Sequence, residues 1–106
     1  MTEPGGSLQE VLEAAAAELE AVETSRTPDR IEWSIGGRSF AIAARESADF
    51  RLDPAVVAAA LRTPDTARSP RGREWVTFRP AVLDRHAIDR ATAWLGSSWR
   101  RADGET

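Results

Sequence analysis

A chain of 106 residues with a formal net charge of −3 has the size of one domain with a single modest core. Its 42% hydrophobic and 29% charged residues are the balance of an ordinary soluble globular fold. There is no cysteine, which excludes a disulfide framework, a thiolate nucleophile and a Cys-ligated metal, and fits a cytoplasmic location.

No basic-plus-apolar leader opens the chain, and residues 1–6, with Pro4, Gly5 and Gly6, read as a flexible lead. The apolar runs are alanine-rich and too short to span a bilayer, so no membrane partner is expected. Ser7-Leu8-Gln9-Glu10 has the form of a capping box. A helix over residues 8–23 follows, because Leu8, Val11, Leu12, Ala15, Leu19 and Val22 fall on one stripe at helical spacing. Glu10, Glu13, Glu20 and Glu23 lie off that stripe and face solvent. Pro28 marks a loop. Ile31, Trp33 and Ile35 then alternate with polar residues as a strand. Gly36-Gly37 supplies a two-residue hairpin turn. The return strand covers residues 38–43, with Phe40 and Ile42 expected on its apolar side.

A third strand is expected over residues 48–52. Asp53-Pro54 is a helix entry, with Asp53 as N-cap and Pro54 at the first helical position. The helix extends to about residue 62, and Thr63-Pro64 ends it. Residues 63–73 form a long irregular stretch. Residues 74–79 are the fourth strand, with Trp75, Thr77 and Arg79 on one side and Val76 and Phe78 on the other. Asp84 caps a last helix over residues 85–101, whose apolar arc is Ala87, Ile88, Ala91, Trp94, Leu95, Ser98 and Trp99. Residues 102–106 are expected to fray. The order α-β-β-β-α-β-α predicts an α+β class: one two-layer domain over residues 1–106, a mainly antiparallel four-stranded sheet with helices on one face.

Chemistry-bearing motifs are few. His86 is the sole histidine and is expected on the surface, because Asp84 is engaged as a cap and no nucleophile accompanies it. Nothing has the spacing of a metal site or a cofactor loop, so the expectation is a non-enzymatic module without cofactor or metal. Trp33, Trp94 and Trp99 fall on core faces. Trp75 has two readings: a cover over the sheet with an arginine stacked on it, or a platform for a nucleic-acid base.

Charge is uneven along the chain. Residues 1–61 hold five Arg against eleven Asp and Glu, and residues 62–101 hold nine Arg against four. Every basic side chain is Arg. That fits the composition of a GC-rich genome, or else a use for planar, bidentate anion contacts. The candidate surface is Arg68, Arg71, Arg73, Trp75, Arg79, Arg100 and Arg101, read either as a nucleic-acid contact or as a solvated basic face. Because the sequence pI is about 5.2, only a local patch could serve nucleic acid. The acidic first helix and the basic second half could also pair between molecules, which is the self-association or protein-partner alternative.

Leu52-Asp53-Pro54, then Gly72-Arg73-Glu74-Trp75-Val76, then a closing helix ending Ser98-Trp99-Arg100-Arg101 resembles the MmcQ/YjbR family of small bacterial proteins. The hairpin from Ile35 to Phe40 resembles that family's strand turn, with Arg38 where Lys is usual. The resemblance spans residues 31–101 and implies an α+β domain with a DNA-binding role and no catalytic residue. A more distant likeness, through Gly36-Gly37, Arg45-Glu46 and Trp75-Val76, is to small bacterial luciferase-domain proteins.

Overall fold

A computed structural model describes residues 6–105. Helix α1, Leu8–Ala16, opens with the expected capping box: the Ser7 hydroxyl accepts from the Glu10 amide at 3.2 Å, and the Glu10 carboxylate accepts from the Ser7 amide at 3.0 Å. Leu8, Leu12 and Ala16 are buried. The helix stops well short of residue 23. Ala21 adopts a positive φ of 63°, and the Trp99 indole N–H donates to the Glu20 carbonyl at 3.0 Å. A tertiary hydrogen bond thus takes a carbonyl that a longer helix would have used. Leu19 and Val22 still pack on the core, but from a turn.

The chain then forms β1 (Glu23–Arg26), β2 (Ile31–Ile35), β3 (Arg38–Ala43), β4 (Ala48–Arg51), α2 (Pro54–Ala60), β5 (Thr66–Arg68), β6 (Trp75–Phe78) and α3 (Arg85–Gly104). The α+β class holds, but the described sheet has six strands rather than four, in the order β1-β2-β3-β4-β6-β5, every neighbour antiparallel. The two strands that periodicity missed are the two edges. All four residues of β1 are exposed, and β5 lies inside the stretch expected to be irregular. Neither has a buried face, so neither shows an apolar alternation.

The central strands put one row into the core. Ile31 pairs with Ala43, Trp33 with Ala41, Ala41 with Phe50, Phe50 with Val76, and Ala48 with Phe78, and all are buried. Phe40 and Ile42 do not share a face as alternation predicts. Trp33 pairs with Ala41 while Ser34 pairs with Ser39, so Phe40 is the extra residue of a bulge. A bulge re-aims side chains. Phe40 therefore joins the core beside Ala41 and Ala43, and Ile42 takes the opposite face between Glu32 and Asp49. The turn behind it is as expected, with Gly36 at φ 56° and Gly37 at φ 79°.

The three helices share this one core. Asp84 caps α3 as expected, its carboxylate accepting from the Ala87 amide at 2.9 Å. Ala87, Ala91, Leu95, Ser98 and Ala102 of α3 are buried, and all but Leu95 are small. That allows a close approach, with the Trp94 ring edge-on to Phe78 at 5.2 Å and tilted to Phe50 at 6.2 Å. The helix runs past Arg101 to Gly104 and buries Ala102, where fraying was expected. Asp53 stands at the N-cap of α2, yet its side chain makes no capping bond. It pairs with Arg101 at 3.2 Å instead. Of the expected flexible lead, only Gly6 lies among the described residues.

Candidate nucleic-acid interface

The alternation of strand directions decides which arginines meet. β3 starts, β4 ends, β5 ends and β6 starts at one end of the sheet, where α3 also finishes. Arg38, Arg51, Arg68, Arg71, Arg73 and Arg101 are all at or beside those termini. The sheet thus collects at one end arginines spread over more than sixty positions of sequence. Arg79 follows β6 and lies at the other end, beyond Phe78.

The β5–β6 hairpin carries three of them. Its register runs Thr66 to Phe78, Ala67 to Thr77 and Arg68 to Val76. The loop is pinned from inside: Ser69 is buried, its hydroxyl accepts from the Arg71 amide at 3.2 Å, and its own amide donates to the Trp75 carbonyl at 3.2 Å. Arg71 lies across the uncovered sheet face. Its Nε donates to Asp49 at 2.7 Å, and its guanidinium sits 6.0 Å from the Trp75 ring centroid. The second Asp49 oxygen accepts from the Thr77 hydroxyl at 2.6 Å. Trp75 is half-buried, with the Arg71 guanidinium over its ring. Arg68 and Arg73 are exposed, and among the described residues no ion pair holds either side chain.

Arg101 is otherwise engaged. Its Nη2 donates to Glu74 at 2.9 Å, its Nη1 to the Leu52 carbonyl, and its Nε faces Asp53 at 3.2 Å. Arg51 grips Glu105 with both Nη atoms, at 2.7 and 3.1 Å, and its Nε lies 3.4 Å from Glu74. Glu74 is pushed below the usual carboxylate range, first by the hydrogen bond from Arg101. Glu105 is pushed down first by the hydrogen bond from Arg51, and Arg51 is pushed up by the same bond, against a lesser effect of burial. Arg100 is exposed on α3 and donates to the Ser97 hydroxyl at 3.2 Å.

Of the residues singled out from sequence, Arg68, Arg71, Arg73, Trp75 and Arg101 meet at one end. Arg100 sits on the helical layer and Arg79 apart from them. Arg38 and Arg51 belong to the cluster; Arg38 was marked only as part of the hairpin turn and Arg51 by no linear motif. The one signal available was the register: Arg51 is the cross-strand partner of Trp75. His86 is exposed. Among the described residues no group of three or more His, Asp or Glu could hold a metal ion, and no helix is long and apolar enough to cross a membrane.

Two grooves lie elsewhere. One of about 600 Å³, lined by Ser7, Glu10, Asp29, Arg45 and Leu83 among others, is at the far end of the sheet. The other, of about 290 Å³, runs between α1 and β1. Neither is lined by the clustered arginines or by Trp75.

No family model matches the chain, and no curated protein sequence does. The fold has a counterpart among solved structures. A crystal structure of a protein from Pseudomonas syringae superposes with a TM-score of 0.61, covering 84% of this chain and 93% of that one at 12% identity. At that identity the likeness shows a shared architecture: the chain has the fold of the Pseudomonas syringae protein.

Proposed function

We propose that the protein is a small cytoplasmic, non-enzymatic module of the MmcQ/YjbR kind that contacts DNA phosphates through the β5–β6 hairpin. The observation that carries this reading is the exposure of Arg68 and Arg73 around a loop pinned by Ser69, beside Arg71 stacked on Trp75. A hairpin with exposed guanidiniums at a sheet edge suits backbone contact, which supplies most non-specific affinity. The lack of cysteine supports the compartment. Titration of duplex and single-stranded DNA at about 50 mM salt tests it. Binding should weaken steeply with salt, and replacing Arg68 and Arg73 together by Ala should lower the salt slope by roughly two. No binding at tens of micromolar protein overturns it.

Self-association has one observation in its favour, the wholly exposed edge strand β1. That strand has four residues with a charge at each end, Glu23 and Arg26, and short charged edges oppose strand addition. A concentration-dependent sedimentation coefficient at low salt would favour this reading over the first.

A further inference from the structure

Glu105 has more partners than a surface ion pair needs. Arg51 holds it bidentately, Arg101 Nε lies 3.6 Å from one of its oxygens and Arg38 Nε 3.9 Å from the other. Three guanidiniums from β3, β4 and α3 therefore surround one carboxylate. A planar fork closed on two oxygens, with further cations beside it, is how proteins receive a carboxylate or a phosphate.

We propose that Arg38, Arg51 and Arg101 form an anion site whose resident ligand is Glu105, and which a phosphate group enters when Glu105 leaves. Two of the three arginines are fixed independently of the plug, and Arg38, 52% exposed, flanks them. Arg51 and Arg101 are 17% and 14% exposed at the side chain, and both are braced by Glu74. Arg101 is held further by Asp53 and the Leu52 carbonyl. Glu105, in contrast, is the C-cap of α3, past the last buried residue of that helix, Ala102. Helix ends open at small cost.

Charge sets the size of the ligand. With Glu105 out, three guanidiniums face Asp53 and Glu74, and the helix end adds roughly half a negative charge. The surplus suits one anionic group and not a polyanion. The site goes beyond the DNA reading and stands without it.

Inorganic phosphate is the probe, added to the full chain at constant ionic strength against chloride and followed through the backbone amide shifts of Leu52 and Glu74. The tethered carboxylate competes at a millimolar or higher effective concentration, so Glu105→Gln should bind phosphate about tenfold more tightly than the parent. Adding Arg51→Gln should abolish that gain. Glu105→Ala repeats the measurement without an amide that could stay in the fork. Equal affinity of the parent and both Glu105 variants overturns the proposal, as does a gain that survives Arg51→Gln. No DNA enters this experiment, so its outcome and that of the DNA titration are separable.

Discussion

Gly72 shows how a single backbone angle holds the candidate interface. It lies at φ 150° in the β5–β6 loop, a conformation that L side chains rarely adopt. Space is not the obstacle, since an added Cβ would meet the Trp75 ring at an ordinary 3.6 Å. Gly72→Ala therefore isolates strain from crowding. It should cost about 1 kcal/mol, read as a lower urea midpoint with an unchanged slope. Asp49 is a second such point, because Thr77 and Arg71 take one oxygen each. Asp49→Ala leaves a part-buried hydroxyl and a guanidinium without their acceptor, and should destabilise by about 1–3 kcal/mol in the same assay. Nothing in the sequence singled out Asp49, whose partners are 22 and 28 positions away. Gly72 was visible only as part of a motif, because a glycine does not announce its φ.

At the scale of elements, α3 was the most legible and contains a correctable weakness. Gly96 sits mid-helix, and a Cβ there would meet only the end of the Arg100 side chain, at 3.4 Å. That end can move aside, so Gly96→Ala should gain up to about 1 kcal/mol and raise the melting temperature; a fall would mean that Arg100 cannot yield. The arc of α3 and the Asp84 cap could be read because a long helix repeats its pattern several times. The alternation of β2 and the Gly36-Gly37 turn were legible for the same local reasons. What failed was settled by distant partners. The alanines and glutamates before residue 23 favour helix locally, yet the chain turns at Ala21 with Trp99 bonded to Glu20. The bulge at Phe40 depends on the β2–β3 register, and the edge strands have no inward face to betray them. The candidate site shares this origin. Arg71, Arg73 and Trp75 were visible as neighbours in sequence, whereas Arg38 and Arg51 join them only through strand order.

Across the whole molecule, the arginine-rich end is also where five elements are tied by charge. Arg38, Arg51 and Arg101 face Asp53, Glu74 and Glu105, linking β3, β4, the entry to α2, the start of β6 and the end of α3. Glu74 and Glu105 both have folded pKa values held below the usual carboxylate range, by hydrogen bonds from Arg101 and Arg51 first. A carboxylate held down in the folded state binds fewer protons there than in the unfolded chain. Its stabilisation is complete above the unfolded value of about 4.3 and is lost as pH falls through the folded value. Both side chains are partly exposed, so the effect is modest and screened by salt. The urea midpoint should hold steady from about pH 7 to 5 and fall below roughly pH 4. General repulsion contributes to that fall as well, since protonating the 17 acidic side chains leaves 14 arginines unopposed. A comparison between variants separates the two causes. Glu105→Gln has no proton to take up, so it should start lower at neutral pH and converge on the parent curve as the pH drops. Self-repulsion acts on both proteins alike and would keep the curves parallel. Parallel curves at about 50 mM salt would mean that the arginines around Glu105 do not couple its charge to folding.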